Sequence, residues 1–187
     1  MKSTDFTLQQ LTPEAELPQP ELQRLLQDWL AAARVTSDGV PGFDFADPLR
    51  LRYLLGSLVL LDVAYDAMGD RAYRYRLIGT DIVSRRGKDY TGRFLHQHDE
   101  EVFAHAAIDA CGLAVDERRP VYATLRRQIG KGFYRVQYLT LPLAGPSGGI
   151  ERLMTAQIYP AEAPSRPYGM RNQGLPYAPS SCTKLAS

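Results

Sequence analysis

The residues best able to do chemistry fall within ten positions of one another. His96, His98 and His105 are the chain's three histidines, and Asp99, Glu100 and Glu101 lie among them. Imidazoles and carboxylates are the usual general acids and bases. His98, Asp99, Glu101 and His105 are therefore the candidates for a small α+β enzyme. The same side chains can ligate zinc. Glu101 and His105 share a helical face by their four-residue spacing, with His98 in the loop before them. Against this, no HExxH spacing occurs, and acidic residues at a helix start also favour its dipole. The four groups are sequence neighbours, not an assembled cleft. The reading adopted is non-enzymatic, with no catalytic residue and no metal site. A pH-sensitive contact through these histidines is open to the chain but not required by it.

The other reactive groups are sparse. The chain has two cysteines, which excludes a disulfide-dense scaffold and a four-cysteine zinc module. Cys111, within Asp109-Ala110-Cys111-Gly112-Leu113, reads as a small buried helix residue. Cys182 reads as an exposed thiol. Arg71, Arg74, Arg76, Arg85, Arg86, Lys88 and Arg93 crowd one stretch. With Asp81 and Asp89 they give seven positive against two negative charges, or +5, over residues 71–93. Such a patch suits an anionic ligand or an acidic partner. The whole chain carries 22 Lys+Arg against 21 Asp+Glu, and that balance argues against a nucleic-acid partner. Gly87-Lys88 lacks the glycine spacing of a Walker loop.

These groups need a scaffold, and 187 residues with 44% hydrophobic and 23% charged side chains are ordinary for one globular domain. No apolar run approaches the length of a membrane span, and the first residues lack a secretory core. A cytoplasmic location follows as the default. Residues 1–20, with Pro13, Pro18 and Pro20, read as a flexible arm. Residues 161–187, with four prolines and several serines, read as a loosely attached tail. The foldable unit is 21–160.

Within it, Leu22, Leu25, Leu26, Trp29, Leu30 and Ala33 predict a helix over 21–34, opened by Pro20. Asp47-Pro48 predicts a second helix reaching Leu55. Strands are expected over 58–66 and 71–78, the second alternating Tyr73, Tyr75 and Leu77 with Arg74 and Arg76. Thr80 to Arg86 reads as a short helix, and residues 99–115 as a long one. Three further strands follow, from Pro120 to about Gly130, from Phe133 to Leu143, and from Glu151 to Tyr159. This is an α+β chain with a five-stranded antiparallel sheet, helices on one face and an N-terminal helix.

That order resembles a PAS domain. It is most similar to a bacterial PAS family, mostly alphaproteobacterial, whose members are often nearly stand-alone. The resemblance runs from Trp29 through the Asp47-Pro48 helix start and LLGSLVLLDV (54–63). It continues through YRYRLIGTDIVSRRGKDYTGRFL (73–95), RRPVY (118–122) and LTLPL (139–143). The stretch RYRLIGT…GKDYTGR carries it most specifically. Gly42-Phe43 after Pro41 departs from the family's pattern, with little bearing on the fold.

The resemblance implies a sensory or regulatory module that binds a small ligand, a protein partner or both. No stretch is left over for a kinase, cyclase or DNA-binding output, so the expected partners are a second copy of the chain or a separate signalling protein. Pocket candidates are Leu61, Tyr75, Leu77, Tyr90, Phe94, Phe103, Ala107, Arg135, Gln137 and Leu139. Leu22, Leu26, Trp29 and Leu30 are candidates for a homodimer or partner face. The ligand and the cofactor are unknown from sequence. A flavin photoreceptor of this type needs a cysteine in an Asn-Cys-Arg-Phe-Leu-Gln-like helix, and the neighbours of Cys111 do not match. A haem protein of this type can take its ligand from the long helix, where His105 lies, but Glu101 and Asp109 share its face and mark it as solvated.

Overall fold

The computed structural model describes residues 4–65, 68–129 and 132–160, without the side chains of 127–134. Six antiparallel strands form one sheet: β1 (Thr4–Gln10), β2 (Leu58–Tyr65), β3 (Arg71–Ile78), β4 (Val121–Ile129), β5 (Gly132–Ala144) and β6 (Ile150–Ile158), ordered β1-β4-β5-β6-β2-β3. Three α-helices accompany them: α1 (Pro20–Ala33), α2 (Thr80–Arg86) and α3 (Glu101–Glu117). None is long and apolar enough to cross a membrane.

The sheet has five strands of the expected kind and a sixth that corrects the arm reading. Thr4–Gln10 is β1, paired with β4 from Thr4↔Arg127 to Gln10↔Val121. Phe6 and Leu8 alternate with Thr7 and Gln9, a short period-two pattern that the following prolines conceal. Thr7 meets Thr124 across the pair through a hydroxyl contact of 2.6 Å. The backbone N–H of Leu11 then donates to the Pro120 carbonyl, and Leu11 is buried. Residues 161–187, read as a tail, lie outside the described residues, and Cys182 with them.

Strand alternation sorts the core onto two faces. On the inner face, Val59, Leu61, Tyr75, Ala123, Tyr138, Thr140 and Thr155 meet α3. On the outer face, Leu139, Leu141, Leu143, Met154 and Ala156 are buried on the side of α1. The apolar stripe of α1 is Leu22, Leu25, Leu26, Trp29 and Ala33, all buried at helical spacing. The Trp29 indole N–H donates to the Pro142 carbonyl at 3.0 Å, which fixes the helix on β5. The structure is thus α+β, with α2 and α3 on one face of the sheet and α1 on the other.

The helix expected after Asp47-Pro48 is instead a run of tight turns. The Asp47 carboxylate accepts from the Leu49 N–H, and the Leu54 N–H donates back to the Leu51 carbonyl. This three-residue closure brings Leu51 and Leu54 together into the core, and the chain continues as a 3₁₀ turn at Leu55–Ser57. Gly79, which opens α2, lies against that turn. A side chain there would collide with the Gly56 carbonyl oxygen, so the contact demands glycine.

Replacing Trp29 by Phe removes the hydrogen bond to Pro142 and part of the packed ring. The expected cost is about 1–3 kcal/mol. Urea unfolding followed by circular dichroism should show a lower midpoint with an unchanged slope. A midpoint equal to wild type would show that α1 is not anchored through this indole.

Candidate functional site

Between α3 and the inner sheet face lies a narrow cavity. Its volume is about 20 Å³, and a water needs roughly 10–15 Å³ on that measure. The gap exists because α3 presents Ala106, Ala107 and Ala110 to the sheet, where larger side chains would fill it. Val59, Leu61, Leu95, Phe103 and Tyr138 make the rest of the lining largely apolar, and Phe6 from β1 joins them. Thr140 and Thr155 add a hydroxyl pair, 3.1 Å apart, on neighbouring strands.

One end of this cavity is polar. Arg86, from the last turn of α2, donates to the Gln157 side-chain oxygen at 3.1 Å. Its guanidinium also lies 3.9 Å from the centre of the Phe103 ring and 2.7 Å from Nε2 of His98. Gln157 accepts a second hydrogen bond from the Tyr159 hydroxyl at 3.2 Å. His98 is buried and stacks on Tyr90 at 4.3 Å, with Phe103 on another side at 4.7 Å. Its Nδ1 accepts from the Glu100 N–H at 3.0 Å. A neutral imidazole has a single acceptor nitrogen, yet N–H groups face both nitrogens of this ring.

Tyr75 completes it. This side chain is only 2% exposed, and its hydroxyl lies beside the Arg86 guanidinium without closing a short hydrogen bond to it. Burial pushes its pKa up to about 12, against the opposing charge of Arg86, so the hydroxyl keeps its proton and stays a donor. Tyr90 is likewise raised to about 12, by burial first and then by its bond to Asp99. The Tyr90 hydroxyl donates to Asp99 at 2.8 Å, and Lys88 donates to the same oxygen at 2.6 Å. These bonds, that from Lys88 foremost, hold the Asp99 carboxyl below its ordinary value.

Of the pocket candidates, Leu61, Tyr75, Phe103 and Ala107 line the cavity. Tyr90 sits just behind, with its ring 6.1 Å from that of Tyr75. Phe94 is half-buried and stacks on the exposed His96, away from the lining. Gln137 and Leu139 are buried on the outer face, since Gln137 pairs with Ile158 and Leu139 with Ala156, opposite in parity to Tyr138 and Thr140. Arg135 shares their parity and is exposed. Leu77 is 47% exposed, because an irregularity between Leu60 and Leu61 shifts the register and sets Leu77 opposite Leu60. Leu22, Leu26 and Trp29, read as a partner face, are buried in the same chain's core, and Leu30 is half-buried.

The histidine cluster disperses. His98 turns inward, while His105 is exposed and hydrogen-bonded through Nδ1 to the Glu101 carbonyl. His105 thus does not face the cavity where a haem would have to sit. Among the described residues no group of three or more His, Cys, Asp or Glu side chains could hold a metal. Cys111 lines the cavity from α3, and burial pushes its thiol pKa far up. A flavin does not fit: the cavity is too small for its ring system, and no lining cysteine belongs to the expected motif. The nearest match, Thr91-Gly92-Arg93-Phe94-Leu95, has Gly92 at the cysteine position.

The basic stretch disperses too. Arg74 and Arg76 share the Asp62 carboxylate with Arg152 at 3.2, 3.4 and 3.3 Å on the outer face. Arg71 pairs with Asp116 at 2.7 Å and Lys88 with Asp99. Sequence reasoning placed Arg86 in this charge run and so missed its contacts with Gln157 and Phe103, which line the cavity. Gln157, Thr140 and Thr155 were missed as well.

No family model and no curated protein matches the chain. Solved structures resembling it include an RNA-binding light-oxygen-voltage receptor, at 16% identity and a TM-score of 0.47 over 86% of this chain. The chain spans 40% of that receptor's length. The light-oxygen-voltage domain of the blue-light photoreceptor Aureochrome1 is 14% identical, with a TM-score of 0.42 over 60% of this chain and 88% of its own. The light-oxygen-voltage protein of Rhodobacter sphaeroides is 15% identical, with a TM-score of 0.39 over 77% and 71%. Likenesses this distant leave the function to be argued from the residues.

Because the pKa of Asp99 is depressed in the fold, its stabilising contribution is present above the ordinary value of 3.8 and is lost as pH falls below it. The stability difference between wild type and Asp99→Asn should be constant at neutral pH and shrink below that value. Urea midpoints collected from pH 7 to pH 2.5 check this. A difference that does not change with pH would refute the Lys88–Asp99–Tyr90 coupling.

Proposed function

We propose that the chain is a sensory or regulatory module of the PAS type. A small molecule is held between α3 and the inner face of the sheet, and its occupancy alters how the covering elements pack and what they bind. The observation that carries this reading is the buried Tyr75 hydroxyl beside an apolar, alanine-walled gap. Small residues on one wall make the gap expandable by a modest outward shift of α3. The stretch RYRLIGT…GKDYTGR supports membership of the stand-alone bacterial family.

A second copy of the chain is the partner we favour for output. Since the α1 stripe is buried in cis, the second copy would meet the outer face near Leu77, where the Asp62 cluster offers both charge signs.

The cavity reading is tested with small neutral apolar probes. Benzene and hexan-1-ol should raise the Tm of wild type saturably, as binding to the native state requires. Ala107→Leu fills the gap, and its Tm should no longer respond. An equal response in both proteins, or none in either, would remove the cavity from the function.

A further inference from the structure

We infer that the outer edge of β1 pairs with β1 of a second copy of the chain. The two strands run antiparallel about a two-fold axis at Thr7 and join two six-stranded sheets into one. This interface goes beyond the reading above. It lies at the opposite edge of the sheet from Leu77 and stands without the cavity.

The two edges of the sheet differ. At β3 the chain covers its own edge. The Tyr75 N–H donates to the Arg93 carbonyl at 2.8 Å, the Gly92 N–H donates to the Tyr75 carbonyl at 2.7 Å, and Arg74 forms a bridge with Phe94. β1 ends the strand order on the other side, and among the described residues it pairs with β4 alone. Free edges are normally guarded by lysine, proline, a bulge or short length. β1 has seven residues, no proline and one charge, at Asp5, and it runs against β4 without a register shift. Its outward N–H and C=O groups are a template for another strand.

The strand suits its own copy. An antiparallel pair centred on Thr7 sets Phe6 against Leu8 of the second copy, Asp5 against Gln9 and Thr4 against Gln10. No like charges meet. Phe6 lines the cavity on the inner face and Leu8 shares its parity; both are only half-buried, so the second strand supplies cover that the edge withholds. Thr7 is exposed on the outer face, with its hydroxyl 2.6 Å from that of Thr124. A hydroxyl donates once and accepts twice, so the same group can also meet Thr7 of the second copy. The two-fold axis then carries a row of threonines across both sheets, a favourable cross-strand pairing. A two-fold contact uses both β1 edges and stops at two copies.

Sedimentation equilibrium of the full chain tests this, with circular dichroism and Tm as controls for folding. Wild type should be a dimer. Thr7→Lys sets two ammonium groups opposite one another and should weaken the dimer at least tenfold. Thr7→Asp should do the same with two carboxylates. An equimolar mixture of the two variants sets Lys against Asp and should restore the dimer, which misfolded variants could not do. Leu77→Lys should leave the β1 dimer unchanged. A dimer that Thr7→Lys leaves intact, or a mixture that stays monomeric, overturns the inference. If Leu77→Lys dissociates the dimer and Thr7→Lys does not, the contact near Leu77 holds and the β1 edge does not pair. A monomeric wild type removes both contacts and leaves the cavity reading to the apolar probes.

Discussion

The alternation of side chains along β5 is the constraint on which the rest depends. Tyr138 and Thr140 project to the inner face, and Leu139 and Leu141 to the outer. A strand buried on both faces must be covered on both. The outer set is satisfied by α1, pinned by the Trp29 indole. The inner set is only partly satisfied by α3, whose small side chains leave space where Leu or Phe would have closed it. One face of the sheet is thus filled and the other incompletely filled.

The polar end of the cavity follows from how the covering elements are joined. Arg86 ends α2, His98 follows the short 3₁₀ turn at Leu95–Gln97, Phe103 lies in α3 and Gln157 in β6. One guanidinium thus ties α2 to three separately positioned pieces of chain. A change in its partners would bear on all of them at once.

Much of this was legible in the sequence, and the losses have physical reasons. Arg71 to Ile78 declared itself by strict alternation, and the strand occupies those residues. Leu61, Tyr75, Phe103 and Ala107 line the gap between α3 and the sheet, and each lies on an element with an unambiguous face. Gln137 and Leu139 went to the wrong face because periodicity gives the alternation but not its sign; the sign comes from register with β6 and from the docking of α1. Arg86 was hidden in a run of like charges. Its position four residues after the buried Ile82 marks the inward face of α2, and that spacing was available. The strand at Thr4–Gln10 is short and half polar, so its pattern competes poorly with the prolines after it.

That strand also bears on how the molecule is made. Of the sheet's strands β1 is made first, but its partner β4 lies far along the chain: Thr7 and Thr124 are 117 residues apart. Until β4 is made, β1 has no partner strand, and Phe6 has no cavity wall to join. Closing so long a loop carries a large entropic cost before any contact repays it. The sheet is therefore completed late, by the segment that was synthesised earliest. Until then the edge of β4 stands open to any other strand.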